Sequence, residues 1–270
     1  MMFWVPLTIL AAASGADQGG HSVVYKRQPS IVEYKFIGEV LSTYVGAIDA
    51  PPTRQVQITG TYVLKTENRG SKWVVVGLTD KLKFTKGDKG ASAAQAKLAV
   101  KGVWTQVVAG PSSYTLKGAA ILPTQLNAPL WPIAWVPIAP AGSMKIGDEF
   151  IQAFDFPAQA FLEDDPIGRF TLPLSFTFNG SEYPASKGLY SFSLRANHDV
   201  DQPVKHPEDP ALRLKGHVLV DGRLKVSRSD GRLESANVIM SADLWLEGKN
   251  YPFGFSKAKG SVTATLERIK

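Results

Sequence analysis

Apolar side chains recur at every second position through most of this chain. The pattern is clearest at residues 170–178, where one parity is apolar and the other is polar or proline: Phe170, Leu172, Leu174, Phe176 and Phe178 alternate with Thr171, Pro173, Ser175 and Thr177. A period of two places alternate side chains on opposite faces of a β-strand. No long segment sustains the 3.6-residue apolar repeat of a helix. The sequence therefore predicts an all-β protein whose sheet has one packed face and one wet face.

The same alternation predicts about a dozen strands joined by local connections. They cover residues 31–41, 54–67, 72–86, 98–108, 112–120, 148–156, 170–178, 190–194, 212–220, 233–247 and 261–269. Turn chemistry is present at 67–71, Asn179-Gly180, Asp221-Gly222 and 229–232, and residues 199–210 are predicted to form a long loop. Pro173 cannot donate a backbone hydrogen bond, which predicts a sheet edge or a bulge at that position.

Several of these strands are longer than the usual length of about five or six residues. Long strands favour a strongly twisted or curved sheet over a compact sandwich. We predict a long antiparallel meander that forms a curved sheet, half-barrel or barrel-like sandwich. Rolling the sheet in this way would remove the hazard of exposed strand edges.

A proline-rich segment, residues 121–147, divides the chain nearly in half. It contains Trp131 and Trp135 between five prolines: Pro123, Pro129, Pro132, Pro137 and Pro140. Neither a helix nor a central strand can continue through such a segment. Its many apolar side chains would otherwise leave a large apolar patch in water. We call residues 121–147 the strap, and predict that it lies across the apolar face as a floor or a lid.

The chain is predicted to have one folded domain. Residues 1–16 resemble a secretory signal, with an apolar run followed by small residues, and residues 17–30 form a spacer. The domain at 31–270 has two halves, 31–120 and 148–270, joined by the strap. Export to a periplasmic or extracellular location follows from this prediction. The mature chain has no segment that would span a bilayer as a helix.

Composition excludes several kinds of site. The chain has 270 residues and no cysteine, which excludes disulfides, thiolate catalysis and cysteine-bound metals. The net charge of +6 is spread along the chain without the spacing of a nucleic-acid motif, so we expect no nucleic-acid partner. No nucleophile-elbow, zinc-protease or phosphate-loop motif is present. We therefore expect a non-enzymatic protein with no cofactor and no catalytic residues.

Three short pieces carry a resemblance to a family. They are Leu122-Pro123, the turn Lys145-Ile146-Gly147-Asp148-Glu149-Phe150, and the late hairpin Asp230-Gly231-Arg232-Leu233-Glu234-Ser235-Ala236. In this order the chain resembles uncharacterised secreted bacterial β-rich proteins, a domain of unknown function with a central proline-rich segment and a K-x-G-D turn. The resemblance implies a secreted all-β protein. It implies no activity, so no catalytic residues follow from it.

Two groups of polar residues are candidates for a metal site or a catalytic site. His198 and His206 lie near Asp199 and Asp201 in the sequence, and histidines with carboxylates can bind a divalent metal. A solvated turn is the simpler interpretation, so these are weak metal candidates. A second group, Asp155, Glu163, Asp164 and Asp165, could supply paired carboxylates for a hydrolase or a calcium site.

The remaining hypotheses depend on the fold. A scaffold or interaction module with an unknown envelope partner is the first. The alternative is a carrier that holds a lipid or another apolar ligand on the concave face. Its candidate binding residues are aromatic: Trp131, Trp135, Phe170, Phe176 and Phe192. A carboxylate-dependent hydrolase is the third.

Overall fold

The protein is represented by a computed structural model, which describes residues 23–24, 28–45, 53–69, 72–79, 83–86, 103–108, 114–117, 136–137, 139, 143–157, 169–184, 187–203, 209–248 and 257–269. These residues form fourteen β-strands: β1 (Val23–Val24), β2 (Ser30–Val45), β3 (Thr53–Arg69), β4 (Lys72–Thr79), β5 (Lys83–Lys86), β6 (Val103–Val108), β7 (Tyr114–Lys117), β8 (Ser143–Met144), β9 (Glu149–Pro157), β10 (Arg169–Ser181), β11 (Leu189–Pro203), β12 (Arg213–Ser227), β13 (Leu233–Glu247) and β14 (Lys257–Arg268).

Twelve of the strands build one antiparallel sheet. Its order is β7-β6-β4-β3-β2-β14-β13-β12-β11-β10-β9, with β5 paired to β3 beside β4. The two halves of the chain meet where β2 pairs with β14. The edge strands β7 and β9 come within 8 Å of each other between Cα atoms, so the sheet curls round on itself. The prediction of an all-β curved antiparallel sheet is confirmed.

The curled sheet has an inner face that is apolar and an outer face that is charged. The buried side chains described on the inner face come from eight strands and include Tyr34, Phe36, Leu64, Phe154, Leu172, Phe176, Phe192, Leu214, Leu224, Val238, Leu244 and Leu266. Ion pairs cross the outer face, such as Lys225 with Glu182 at 2.8 Å and Lys215 with Glu247 at 2.9 Å. The alternating sequence pattern has therefore placed its apolar parity inside.

Two predicted turns are wrong. Asn179-Gly180 lies within β10, where the register shifts by one residue and Gly180 adopts a φ of +93°. This is a β-bulge, which needs the same positive φ that made the pair look like a turn. Asp221-Gly222 lies in the middle of β12 and is paired on both sides. Pairing with two neighbouring strands has overridden its local turn preference.

The predicted loop at 199–210 is also wrong in its first part. β11 continues to Pro203, and it pairs with β12 through Val200↔Gly216 and Asp201↔Lys215. Val200 is buried, because it continues the apolar parity of the strand. The predicted strand 72–86 is divided into β4 and β5, and both pair with β3.

The K-x-G-D turn forms immediately before β9. The Lys145 N–H donates to the Asp148 carboxylate at 2.7 Å, the Asp148 N–H donates to the Lys145 carbonyl at 3.0 Å, and Gly147 has a φ of +93°.

The predicted signal segment at 1–16 and most of the strap lie outside the described residues. Within the described residues, no helix has the length and apolar character needed to cross a bilayer.

Candidate functional site

β10 and β11 separate part of the way along their length. Their ladder runs from Ser181↔Tyr190 to Ser175↔Arg195 and stops there. Beyond this point β10 continues towards Arg169 paired only with β9, and β11 continues towards Pro203 paired only with β12. We call the gap between these two arms the fork.

Pro173 explains why the ladder stops. The Phe178 N–H donates to the Asp148 carbonyl at 2.9 Å, on the β9 side of β10. Backbone groups alternate in direction along an antiparallel strand, so the nitrogen of Pro173 faces β11. The register would place Pro173 opposite Asn197, and proline has no N–H to donate to the Asn197 carbonyl. The fork therefore begins where the first donor of the β10–β11 ladder is missing.

The fork contains an open pocket of about 330 Å³. Ile151, Pro173 and Asn197 line it from the outer face. Ala196 and Val220 also line it, and these two residues are cross-strand partners on the inward parity of β11 and β12. The pocket therefore extends from the outer surface, between the two arms, as far as these two inward-facing residues, of which Ala196 is half-buried and Val220 is buried.

The rim of the fork carries one positive and one negative side chain. Arg195 Nε lies 3.4 Å from Asp221 Oδ1, and the two side chains are 73% and 76% exposed. Such an exposed pair contributes little to stability, with a typical value of about 0.2–1 kcal/mol. Both charges are thus available to exchange their partner at little cost, and the rim has no net charge.

The opposite end of the inner face is filled. Here Val136, which belongs to the strap, is buried beside Tyr34, Leu64 and Leu233, and the remaining cavity measures about 10 Å³. A cavity needs roughly 10–15 Å³ to hold one water molecule. We call this region the closed end. Val136 of the strap is thus buried against the inner face, while residues 121–135 of the strap lie outside the described residues.

Two hydrogen bonds hold the closed end together. The Tyr34 hydroxyl donates to the Leu233 carbonyl at 2.8 Å, and the Gln152 side-chain amide donates to the Val136 carbonyl at 3.2 Å. Tyr62 lies beside Tyr34 on β3, and burial raises the pKa of its phenol well above the usual value. The polar groups here are enclosed by protein rather than by water.

The aromatic candidates are distributed over the inner face. Phe176 and Phe192 both contact Phe150, with ring centroids 5.2 and 6.3 Å apart, in a cluster that also holds Phe178 and Tyr190. Phe170 is equally buried but lies six residues further along β10, roughly 20 Å away. Trp131 and Trp135 lie outside the described residues. The structure thus joins Phe176 and Phe192 and leaves Phe170 apart.

The weak metal candidates do not form a cluster. His198 follows the inward parity of β11 and is half-buried, whereas the neighbouring Asp199 and Asp201 point outwards. Asp199 contacts His217 Nδ1 at 2.6 Å, and Asp201 accepts a hydrogen bond from Arg213 at 2.7 Å. His206 lies outside the described residues, within which no group of three or more histidines and carboxylates could hold a metal.

Most of the second candidate group, the four carboxylates, lies outside the described residues. Asp155 lies on β9, and Glu163, Asp164 and Asp165 belong to a segment outside the described residues.

Sequence reasoning had missed Ala196, Asn197 and Val220 altogether. The one signal that pointed towards them was Pro173, a proline inside an otherwise regular strand.

Comparisons with known proteins add little to this geometry. No family model matches the chain, and no curated protein matches its sequence. A solved structure described as "Lipid-protein interactions in lipovitellin" has a similar backbone, with a TM-score of 0.46 and 9% identity over 91% of this chain. The chain spans about a quarter of that protein, 26% of its length. Similarity at this level does not establish a common fold or a common ligand.

Proposed function

We propose that this protein is a non-enzymatic binding protein that holds an apolar ligand on the inner face of its curved sheet. The observation that carries the proposal is the pocket of about 330 Å³ at the fork, which reaches Ala196 and Val220 from the outside. Ligand pockets typically measure about 300–1,000 Å³ and are lined mainly by apolar groups with a few polar ones. The fork has this character.

Physical chemistry favours an apolar ligand over a polar one. Moving apolar surface out of water contributes about 25 cal/mol per Å², and the inner face near Val220 and Leu194 is mostly apolar, with His198 as a half-buried polar neighbour. A polar group brought there would lose most of its hydrogen bonds to water and gain few in return. An acyl chain or a similar hydrocarbon is therefore the class of ligand that the site would bind best.

A scaffold role with an envelope partner stays a second prediction. Among the described residues, the outer face shows scattered exposed apolar side chains such as Leu219 and Ile239, which favour no particular partner. Export of the protein to a periplasmic or extracellular location is also part of the proposal. Mass spectrometry of the protein from its host should show a chain that lacks about the first sixteen residues, and recovery of an uncleaved chain would count against export.

Lipid binding can be measured directly. Native mass spectrometry of protein purified from its host should show co-purifying lipid, and a polyene fatty acid that fluoresces outside water should bind to the delipidated protein. Val220→Thr should weaken that binding, because it places a hydroxyl group on the pocket lining. Leu219→Thr on the outer face is the matched control and should bind as the native protein does. A protein that carries no lipid and does not bind the fatty acid would refute the proposal.

A further inference from the structure

The fork has features that suit a passage better than a site for a peptide strand. Open strand edges usually attract another strand, and natural proteins protect them with prolines and charges. Here Pro173 lies on the β10 arm, Pro203 ends the β11 arm, and Arg213 donates to the Asp201 carbonyl at 3.3 Å. A peptide strand inserted into the fork would meet missing donors on both sides and an acceptor already in use.

The size of the pocket limits what can pass. A dry cavity of about 150 Å³ is enough to bind benzene. The pocket at the fork, about 330 Å³, exceeds that volume about twofold, which is enough for part of one hydrocarbon chain. A ligand with two chains side by side would need the two arms to move apart.

The two charges at the rim of the fork limit which polar head groups a ligand can carry. Arg195 and Asp221 present opposite charges 3.4 Å apart, and both are exposed. A head group that carries one negative and one positive charge can replace this ion pair with two new ones, whereas a singly charged head group leaves one rim charge facing a like charge or no partner.

From these observations we infer that the fork is the passage through which the acyl chain of a single-chain, zwitterionic amphiphile reaches the inner face, while Arg195 and Asp221 bind its head group. This inference rests on the proposed function. It goes further in assigning the route, the number of chains and the charge of the head group.

A passage has a kinetic signature. Closing it slows association and dissociation together, because both directions use the same opening, and each rate falls by a larger factor than the dissociation constant changes. Losing a binding contact has a different effect, which falls mainly on the dissociation rate.

The chain has no cysteine, so a disulfide can be placed across the fork without a competing thiol. Pro173→Cys combined with Asn197→Cys would occupy the next hydrogen-bonded position of the register. Forming their disulfide would draw the two arms together towards the Cα separation of about 5.5 Å that such a pair has. Thr177→Cys combined with Ser193→Cys is the matched control, because those residues already face each other inside the ladder.

The probe is palmitoyl lysophosphatidylcholine, and its rates are measured by displacement of the fluorescent fatty acid. Oxidising the 173/197 pair should slow association and dissociation by at least about tenfold, and reduction should restore both rates. The 177/193 disulfide should change neither rate. If the 173/197 disulfide fails to form, Ala196→Phe serves as the second variant, since its ring would narrow the opening between the two arms and should slow both rates as well.

The head-group assignment has its own measurement. Arg195→Gln and Asp221→Asn should each weaken lysophosphatidylcholine binding by about twofold to fivefold, which is the range of an exposed ion pair. Neither variant should weaken a single-chain alcohol, which has no charged head group. Equal losses for both ligands would overturn the assignment.

Different results would contradict the proposed ligand binding and the proposed passage through the fork. If the native protein does not bind the fluorescent fatty acid, the proposed function is wrong. If it binds the fatty acid but both rates are unchanged in the 173/197 disulfide, or in Ala196→Phe where the disulfide does not form, the binding site stands and the passage is wrong. A polypeptide that co-purifies with the native protein and is released by the 173/197 disulfide would show that the fork accepts a strand instead.

Discussion

The closed end and the fork are lined by similar side chains and differ in how much space remains between them. Val226 at the far end of β12 is completely buried, and the cavity at the closed end measures about 10 Å³. Val220 lies on the same parity of the same strand and lines a pocket of about 330 Å³. Apolar composition alone therefore does not decide whether a face is filled.

Two structural differences separate these regions. At the closed end β10 and β11 stay paired on both sides of the bulge at Gly180, and Val136 of the strap is held over the face by a hydrogen bond from Gln152. At the fork the ladder ends next to Pro173, and the two arms have different partners. The closed end thus has paired strands and a covering segment, whereas the fork has strands that separate next to a proline.

The largest expected effect comes from truncating matched valines. Val226→Ala should destabilise the protein by about 2–3 kcal/mol, because the packed surroundings cannot collapse into the space left behind. Val220→Ala should cost less, about 1–2 kcal/mol, because its buried side chain borders the pocket on one side. Urea denaturation monitored by circular dichroism gives both values. Equal losses would show that the two regions are equally well packed.

A smaller effect is expected at the hydrogen bond of the closed end. Tyr34→Phe removes the donor to the Leu233 carbonyl and should cost about 1–2 kcal/mol, because a buried acceptor loses its partner. The same denaturation experiment measures it. A cost near zero would indicate that water reaches Leu233 and that this end is not closed.

A pH dependence would sharpen the same comparison. Burial raises the pKa of Tyr62 in the folded protein above the unfolded value, so the folded state keeps this proton at a pH where the unfolded state has lost it. The stabilising contribution is complete below the unfolded pKa of about 10, and it falls by about 1.4 kcal/mol per pH unit above it until the folded pKa is reached.

Tyr62→Phe is the control for this dependence, since lysine titration affects both proteins alike. The native protein should lose stability more steeply than Tyr62→Phe as pH rises above about 10. Parallel stability profiles for the two proteins would mean that the phenol is solvated.

Part of this architecture could be predicted from the sequence. The alternation at 170–178 correctly placed Phe170, Phe176 and their neighbours on a buried face, and the unusually long strands indicated a curved sheet. Both inferences depend on side-chain periodicity, which a single strand already displays. Pro173 was predicted to lie at a sheet edge or a bulge, and it lies where β10 is paired on one side only.

Other features depend on pairing between strands that are distant in sequence. Asp221-Gly222 has the residues of a turn, but β11 and β13 pair on either side of it and keep it extended. The fork requires knowing that Pro173 would face Asn197, a relation that only the register reveals. Ala196 and Val220 therefore could not be recognised as site residues from their own positions in the sequence.

Hydrogen exchange at single amides tests the fork most directly. The N–H groups of Ser193 and Asn197 point the same way from β11, towards β10, but only Ser193 has a partner in the ladder, Thr177. We expect the Asn197 amide hydrogen to exchange roughly a hundredfold or more faster than the Ser193 amide hydrogen in the native protein. Nuclear magnetic resonance measures both exchange rates. Equal protection of the two amides would show that β10 and β11 remain joined beyond Ser175, and that no passage exists between them.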